Sequence, residues 1–164
     1  MSDGAHVQIR RMTVADLDCV VEMANGLKEA PHWPLPVYAD MLERSPRNRI
    51  AVVAEDGGTR AVVGFAVAGL VPPEAELETI AVATGHQRRG IGRRLLEALA
   101  DDLGQSGVRE LLLEVRDANA SARAFYESMG FVATARRVGY YADPVEDAVL
   151  MRMSLWCGLD PKRA

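Results

Sequence analysis

The stretch Gly85-His86-Gln87-Arg88-Arg89-Gly90-Ile91-Gly92 places three glycines and two arginines between an apolar run and a leucine-rich run. Small residues let a backbone approach a ligand closely. The first N–H groups of a helix have no partner inside it and attract anions, aided by the helix dipole. Three glycine-rich patterns compete for this turn. A nucleotide P-loop has the spacing of Gly85 and Gly90, but Ile91-Gly92 stands where Lys-Ser/Thr is required. The dinucleotide fingerprint lacks its third glycine, because Leu95 occupies that place. The pattern Gln/Arg-x-x-Gly-x-Gly/Ala fits Gln87, Arg88, Arg89, Gly90, Ile91 and Gly92 at every position. The turn is therefore read as a diphosphate cradle. The plainer alternative is a tight strand-to-helix turn with a solvated basic surface. Arg93 and Arg94 add positive charge nearby, although not all four arginines can face one ligand.

Two further residues have the chemistry to move protons. Glu114 ends the aliphatic run ELLLEV, where a carboxylate is costly unless it reaches solvent, a partner or a site. It is a candidate general base, and the competing reading is an ion pair with an arginine such as Arg116. Glu76 and Glu78 are rival bases. Tyr126 lies in SARAFYESMG, where Phe125, Tyr126 and Met129 cluster. It is a candidate acid, or else a packed ring with a satisfied hydroxyl.

These groups need elements to hold them. Val7 to Arg11 reads as a first strand, and Thr13 with Asp16 as a helix start leading to about Lys28. The prolines of EAPHWPLP end that helix, and a short one follows near Val37 to Glu43. Two β-branched runs flank Asp56-Gly57-Gly58, residues suited to positive φ, and so predict a hairpin. Ala75 to Val82 is the next strand. A helix from about Gly90 to Gln105 follows, with Ile91, Leu95, Leu96, Leu99 and Leu103 on one face and Gly107 at its end. Glu110 to Val115 reads as a buried strand. Asn119 and Gly130 bracket a last helix, and Phe131 to Tyr140 and Ala148 to Leu155 form two antiparallel strands. The order β-α-α-β-β-β-α-β-α-β-β predicts an α+β domain with a mixed, largely antiparallel sheet flanked by helices. The whole of 1–164 is read as one domain, with its core at about 7–155 and a loose tail from 156 to 164.

Composition narrows the function classes. Apolar residues at 49 % and charged residues at 26 % describe a globular chain with material for a core. A net charge of −4 argues against a protein that coats nucleic-acid phosphates, so no direct nucleic-acid partner is expected. No apolar run approaches the roughly 20 residues of a membrane span, and MSDGAHVQIRR shows no secretory leader, so a cytoplasmic protein without a membrane partner is expected. Cys19 and Cys157 are far apart and His6, His32 and His86 are scattered, so no metal site is expected. Met12, Met23 and Met41 are read as core filler.

Taken together, LETIAV, QRRGIG, LLLEVRDANASARAFYESMGF and RRVGYY resemble, in order and spacing, the GNAT superfamily of acyl-CoA N-acyltransferases, from Val7 to about Leu155. More narrowly, the set is similar to the RimI-type ribosomal-protein-alanine N-acetyltransferases. HWPLPVYADML departs from that type, with Pro34-Leu35-Pro36 replacing a serine-acid stretch. The resemblance implies acetyl-CoA as co-substrate and no metal. It implies that Ile80, Ala81 and Val82 meet the pantetheine arm, that Gln87 to Gly92 cradle the pyrophosphate, and that Asn119 bonds the arm near its reacting end. A backbone N–H of a bulged fourth strand would serve the thioester oxygen. Glu114 would be the base and Tyr126 the acid, with Tyr140 and Tyr141 binding the substrate peptide. The implied acceptor is the N-terminal α-amine of a protein, an alanine of a small-subunit ribosomal protein. A small-molecule amine acetyltransferase and a non-catalytic CoA-binding module stand as the alternatives.

Overall fold

A computed structural model describes residues 6–27, 30–43 and 48–155. The elements in chain order are β1 (Val7–Arg11), α1 (Leu17–Asn25), α2 (Leu35–Glu43), β2 (Arg49–Asp56), β3 (Val62–Val71), β4 (Glu74–Val82), α3 (Ile91–Gln105), β5 (Glu110–Arg116), α4 (Ala120–Ser128), β6 (Val132–Tyr141) and β7 (Glu146–Ser154). Single 3-10 turns precede α1 and α3, at Val14–Asp16 and Thr84–His86. This is the predicted α+β order. One seven-stranded sheet runs β1-β2-β3-β4-β5-β7-β6, and only the β4–β5 pairing is parallel.

Two apolar clusters cover the sheet unequally. On one face, α3 lays Ile91, Leu95, Leu96, Leu99 and Leu103 against Val52, Ala66, Leu111, Leu113, Val149 and Met151. Phe125, Tyr126 and Met129 of α4 join this cluster. On the other face, Leu17, Val20 and Ala24 of α1 and Tyr38 and Met41 of α2 cover Ala51, Val53, Phe65, Val67 and Ala81. No residue of β5, β6 or β7 belongs to that second cluster. The outward residues of β5, Leu112, Glu114 and Arg116, are therefore only half-buried. The alternation of apolar and polar residues in ELLLEVR follows from this one-sided cover.

Several boundaries differ from the sequence reading. The first helix ends at Asn25, and Lys28 lies outside the described residues, as does the tail from 156 to 164 with Cys157. The β2–β3 loop takes its positive φ at Arg60 (65°), not at Asp56, Gly57 or Gly58. Instead the Asp56 carboxylate accepts bonds from the backbone N–H groups of Gly58 and Thr59, both at 2.9 Å. A side chain that satisfies turn donors removes the need for a left-handed residue there. The last two strands run further towards each other, to Tyr141 and from Glu146. Cys19 is a free, exposed thiol, and no group of His, Cys, Asp and Glu among the described residues could hold a metal. No described helix is long and apolar enough to cross a membrane.

The start of α1 is tied to β1 by charge. Arg10 donates to both oxygens of Asp16, each at 2.8 Å, and to Glu55 at 2.9 Å. Burial pushes the Asp16 carboxyl up, but bonds from Arg10 and from the Thr13 backbone N–H outweigh it and hold the carboxyl below its usual range. The stabilisation is thus complete above about pH 4 and is lost as pH falls through the lowered folded value. Asp16→Asn should cost about 2 kcal/mol at pH 7, the scale of a charged hydrogen bond. Urea unfolding should show that deficit narrowing at acid pH, and an equal deficit at pH 7 and pH 3 would sink the charge argument.

Candidate active site

The site lies where two neighbouring strands part. β4 and β5 pair only at Glu74 with Glu110, Ala75 with Leu111 and Glu76 with Leu112. Beyond Leu112, β5 stays paired with β7 as far as Arg116, and β4 stays paired with β3 as far as Val82. A gap therefore opens in mid-sheet. A register shift between β3 and β4 leaves Glu78 without a counterpart, between Leu77 and Thr79. Such a bulge exchanges the faces of the following residues. Before it, Ala75 and Leu77 pack under α3; after it, Ala81 packs under α1 and α2. Ile80 and Val82 are thereby turned towards α3 and α4.

A cleft of 430 Å³ follows on that side. Ile80, Ala81 and Val82 form its floor, with Gln87, Arg88, Gly90, Ile91 and Gly92 at one end and Asn119 and Tyr126 along α4. Nine of the ten predicted cofactor residues thus line one cavity, together with Tyr126; Arg89 is not among the lining residues. His86, Ser121, Ala122 and Phe125 also line it, and the sequence reading did not assign them to it. The helical register of Asn119 with Ala122 and Tyr126 was the available signal for Ala122. His86 carried none beyond its place in the turn.

The glycine turn is built for approach from outside. Gly90 caps α3 at φ 77°, a left-handed conformation, and Arg88 is left-handed too at 62°. A side chain at Gly90 would meet nothing within 4 Å, so glycine is needed here for φ and for the open space above it. The first helical bond runs from the Arg94 N–H to the Gly90 carbonyl, at 3.1 Å. The N–H groups of Ile91, Gly92 and Arg93 precede it and point out of the helix end. Gln87 donates its side-chain amide to the Val82 carbonyl at 3.1 Å, which clamps the turn to the end of β4. On the opposite wall the Asn119 side chain accepts the Ala122 N–H at 3.1 Å and caps α4.

Tyr126 sits between Phe125 and Phe131, with ring centroids at 5.3 and 5.6 Å. Burial, with a smaller push from Tyr141, raises its phenol to about 12. It stays a proton donor through the neutral range.

Glu114 faces the other side of the gap. Its partner is Arg137 at 3.4 Å, while Arg116 pairs with Glu146 at 3.3 Å. The competing reading of Glu114 as one half of an ion pair thus finds its arginine in Arg137 and not in Arg116. Glu78 is held by Arg49 through two bonds, at 2.9 and 3.1 Å. Glu76 keeps no such clamp, and partial desolvation followed by the charges of Glu114 and Glu78 raises its carboxyl, against a lowering by Arg137. Tyr140 and Tyr141 do not take opposite faces. Their rings meet edge to face at 5.1 Å, because the β6–β7 register slips between Arg137 and Tyr141 around Gly139 at φ 62°. Hydrogen bonding with Glu114, and then its charge, raises the Tyr140 phenol. Burial, and then Glu114, raises that of Tyr141.

The pattern of the acetyltransferase (GNAT) family matches residues 18–131. The ribosomal protein bS18-alanine N-acetyltransferase of Escherichia coli is 46 % identical over 96 residues, which cover 57 % of this chain and 65 % of that relative's length. The N-alpha-acetyltransferase RimI of Mycobacterium tuberculosis is 39 % identical over 156 residues, covering 92 % of this chain and 94 % of that protein. The crystal structure of the ribosomal-protein-S18-alanine N-acetyltransferase from Escherichia coli superposes with a TM-score of 0.80 at 33 % identity, over 94 % of this chain and 98 % of that one.

The cap on α4 gives a direct check on how the cleft wall is held. Asn119→Ala should remove it and cost about 1 kcal/mol, whereas Asn119→Asp keeps an acceptor and should cost less than half as much. Thermal unfolding of both variants reads the difference; equal losses would mean that the cap is not what fixes α4.

Proposed function

The chain belongs to the acetyltransferase (GNAT) family, and from that premise we propose that it transfers an acetyl group from acetyl-CoA to the N-terminal α-amine of a protein, with an alanine of a small-subunit ribosomal protein as acceptor. The observation that carries the proposal is the parting of β4 from β5, with an anion-ready turn on one side and a carboxylate among tyrosines on the other. The full-length similarity to an N-alpha-acetyltransferase, and the shorter one to a bS18-alanine enzyme, support the choice of acceptor.

On this reading the N–H groups opening α3 hold the diphosphate, with Arg88 and Arg93 adding charge at the same end of the cleft. The edges of Ile80, Ala81 and Val82 left unpaired by β5 hold the extended arm through backbone bonds, as a strand neighbour would. Asn119 adds its remaining amide donors. The donor supplies a thioester carbonyl at the gap. Tyr140 and Tyr141 flank the first residues of the peptide. An α-ammonium has an ordinary pKa of about 8, so losing one proton to Glu114 frees its lone pair at modest cost. Attack forms the N–C bond, and the C–S bond breaks as the carbonyl re-forms. Tyr126, kept protonated by burial, gives its proton to the departing sulfur. The nitrogen's second proton then passes through solvent to restore the Tyr126 phenol. Glu78 is a weaker candidate for the base because Arg49 already occupies both its oxygens.

Mass spectrometry of peptides beginning Ala-Arg, beside N-terminally blocked copies and spermidine, tests the acceptor. Acetylation of the free α-amine alone is expected. Preference for spermidine or a lysine side chain would reject the protein N-terminus and leave acyl transfer standing. Glu114→Gln should slow turnover by roughly 100- to 10,000-fold with unchanged CoA affinity, the loss shrinking at high pH where the amine is already neutral. Gly90→Asp should instead abolish CoA binding by calorimetry, since it adds both left-handed strain and a negative charge where the diphosphate sits. Wild-type affinity in that variant would remove the turn from the site.

A further inference from the structure

Glu114 and Glu76 share one face of the sheet. Glu76 pairs in parallel register with Leu112, two residues before Glu114, and this face is the one that α1 and α2 leave uncovered along β5. Arg137 reaches the same face. It pairs with Ala148 on β7, which pairs in turn with Arg116 on β5. Its guanidinium lies 3.4 Å from Glu114 and 5.3 Å from the Tyr140 ring centroid. The other cations around this site have partners of their own. Arg49 holds Glu78, and Arg116 holds Glu146 while stacking on Tyr141 at 4.2 Å. The side chain of Arg137 is 54 % exposed, and its partners are Glu114 and the Tyr140 ring.

We propose that Arg137 is a positioning residue for deprotonation of the acceptor: set between Glu114 and the Tyr140 ring, it offsets the repulsion between the Glu114 and Glu76 carboxylates on one face of the sheet, so that Glu114 takes the acceptor's proton. This rests on the acetyl-transfer reading above. Two neighbouring carboxylates relieve their repulsion by sharing a proton, and a pair that already holds one is a poor acceptor for another. One guanidinium offsets that repulsion. It also leaves the pair with one net negative charge, which an entering ammonium matches. The ammonium then passes one proton from nitrogen to a Glu114 oxygen, and the amine keeps the electron pair that attacks the thioester carbon. The groups facing the pair are Glu78 on β4, Arg49 on β2, Arg116 on β5, Arg137, Tyr140 and Tyr141 on β6, and Glu146 on β7.

The test compares wild type, Arg137→Gln, Arg137→Lys and the double variant Arg137→Gln with Glu76→Gln. In Arg137→Gln, the acidic limb of kcat/KM should move to higher pH, with a loss of roughly two- to fivefold on that limb, the scale of a partly exposed ion pair, and recovery at alkaline pH. Arg137→Lys should keep the wild-type limb, and removing Glu76 as well should bring the limb back. A loss that is uniform across pH, or an unmoved limb, overturns the proposal. Carboxyl NMR of Glu76 in the acceptor-free protein is the arm that needs no turnover. Its titration should move to higher pH in Arg137→Gln and hold in Arg137→Lys; an unmoved Glu76 also overturns the proposal. A wild-type protein that acetylates no peptide would defeat the acetyl-transfer reading instead, while the NMR arm still decides whether Arg137 governs the pair.

Discussion

The site depends on a break in hydrogen bonding between two strands that begin as neighbours. Three parallel pairs join β4 to β5, and then the two diverge while each keeps its other partner. Unpaired backbone in the middle of a sheet is costly unless something else bonds to it. The flanking ladders make the divergence tolerable, because β3 and β7 hold each strand along its length. α3 contributes as well, by filling the space above β2, β3 and β4 with a continuous leucine stripe. The chain thereby keeps an exposed strand edge inside its own sheet. An extended ligand arm satisfies such an edge with the same bonds that a strand would make.

The bulge at Glu78 decides what lines that edge. With strict alternation, Ile80 and Val82 would face α1 and α2, on the side of Glu76. One extra residue moves them to the side of α3 and α4 and leaves Glu76 and Glu78 on the side of Glu114. An apolar floor on one side and a charged wall on the other are thus consequences of a single register slip. The same logic recurs at the far end of the sheet. The slip between Arg137 and Tyr141 brings two consecutive aromatic rings together beside Glu114, where regular alternation would have separated them.

Local features of this architecture were legible in the sequence, and long-range ones were not. The α3 stripe repeats at helical spacing, so all five of its apolar residues could be assigned to the core, and all five are buried. Asn119 and Gly130 marked the ends of α4 because caps are set within a turn of chain. The glycine turn could be read because its conformational demand is local. By contrast, Glu114 finds its partner 23 positions away at Arg137, through two strand pairings that no periodicity announces. Arg116, the alternative partner, is nearer in sequence but is taken by Glu146. The β2–β3 loop misled for a related reason: glycines suggested where φ turns positive, but the Asp56 carboxylate changed the requirement and moved it to Arg60.

The unequal cover of the two faces links these observations to chemistry. If α1 and α2 extended over β5 to β7, the row Leu112, Glu114 and Arg116 would be sealed, and a carboxylate there would need a full desolvated ion pair. Leaving that half-face open lets Glu114 keep a partly solvated partner in Arg137. The opposite half-face carries the reverse solution: Tyr126 is half-buried beside two phenylalanines, and desolvation raises its phenol to about 12. A base that must stay ionised and an acid that must stay protonated need opposite environments. On the proposed reading, Glu114 and Tyr126 occupy those two environments, one on each side of a gap in a single sheet.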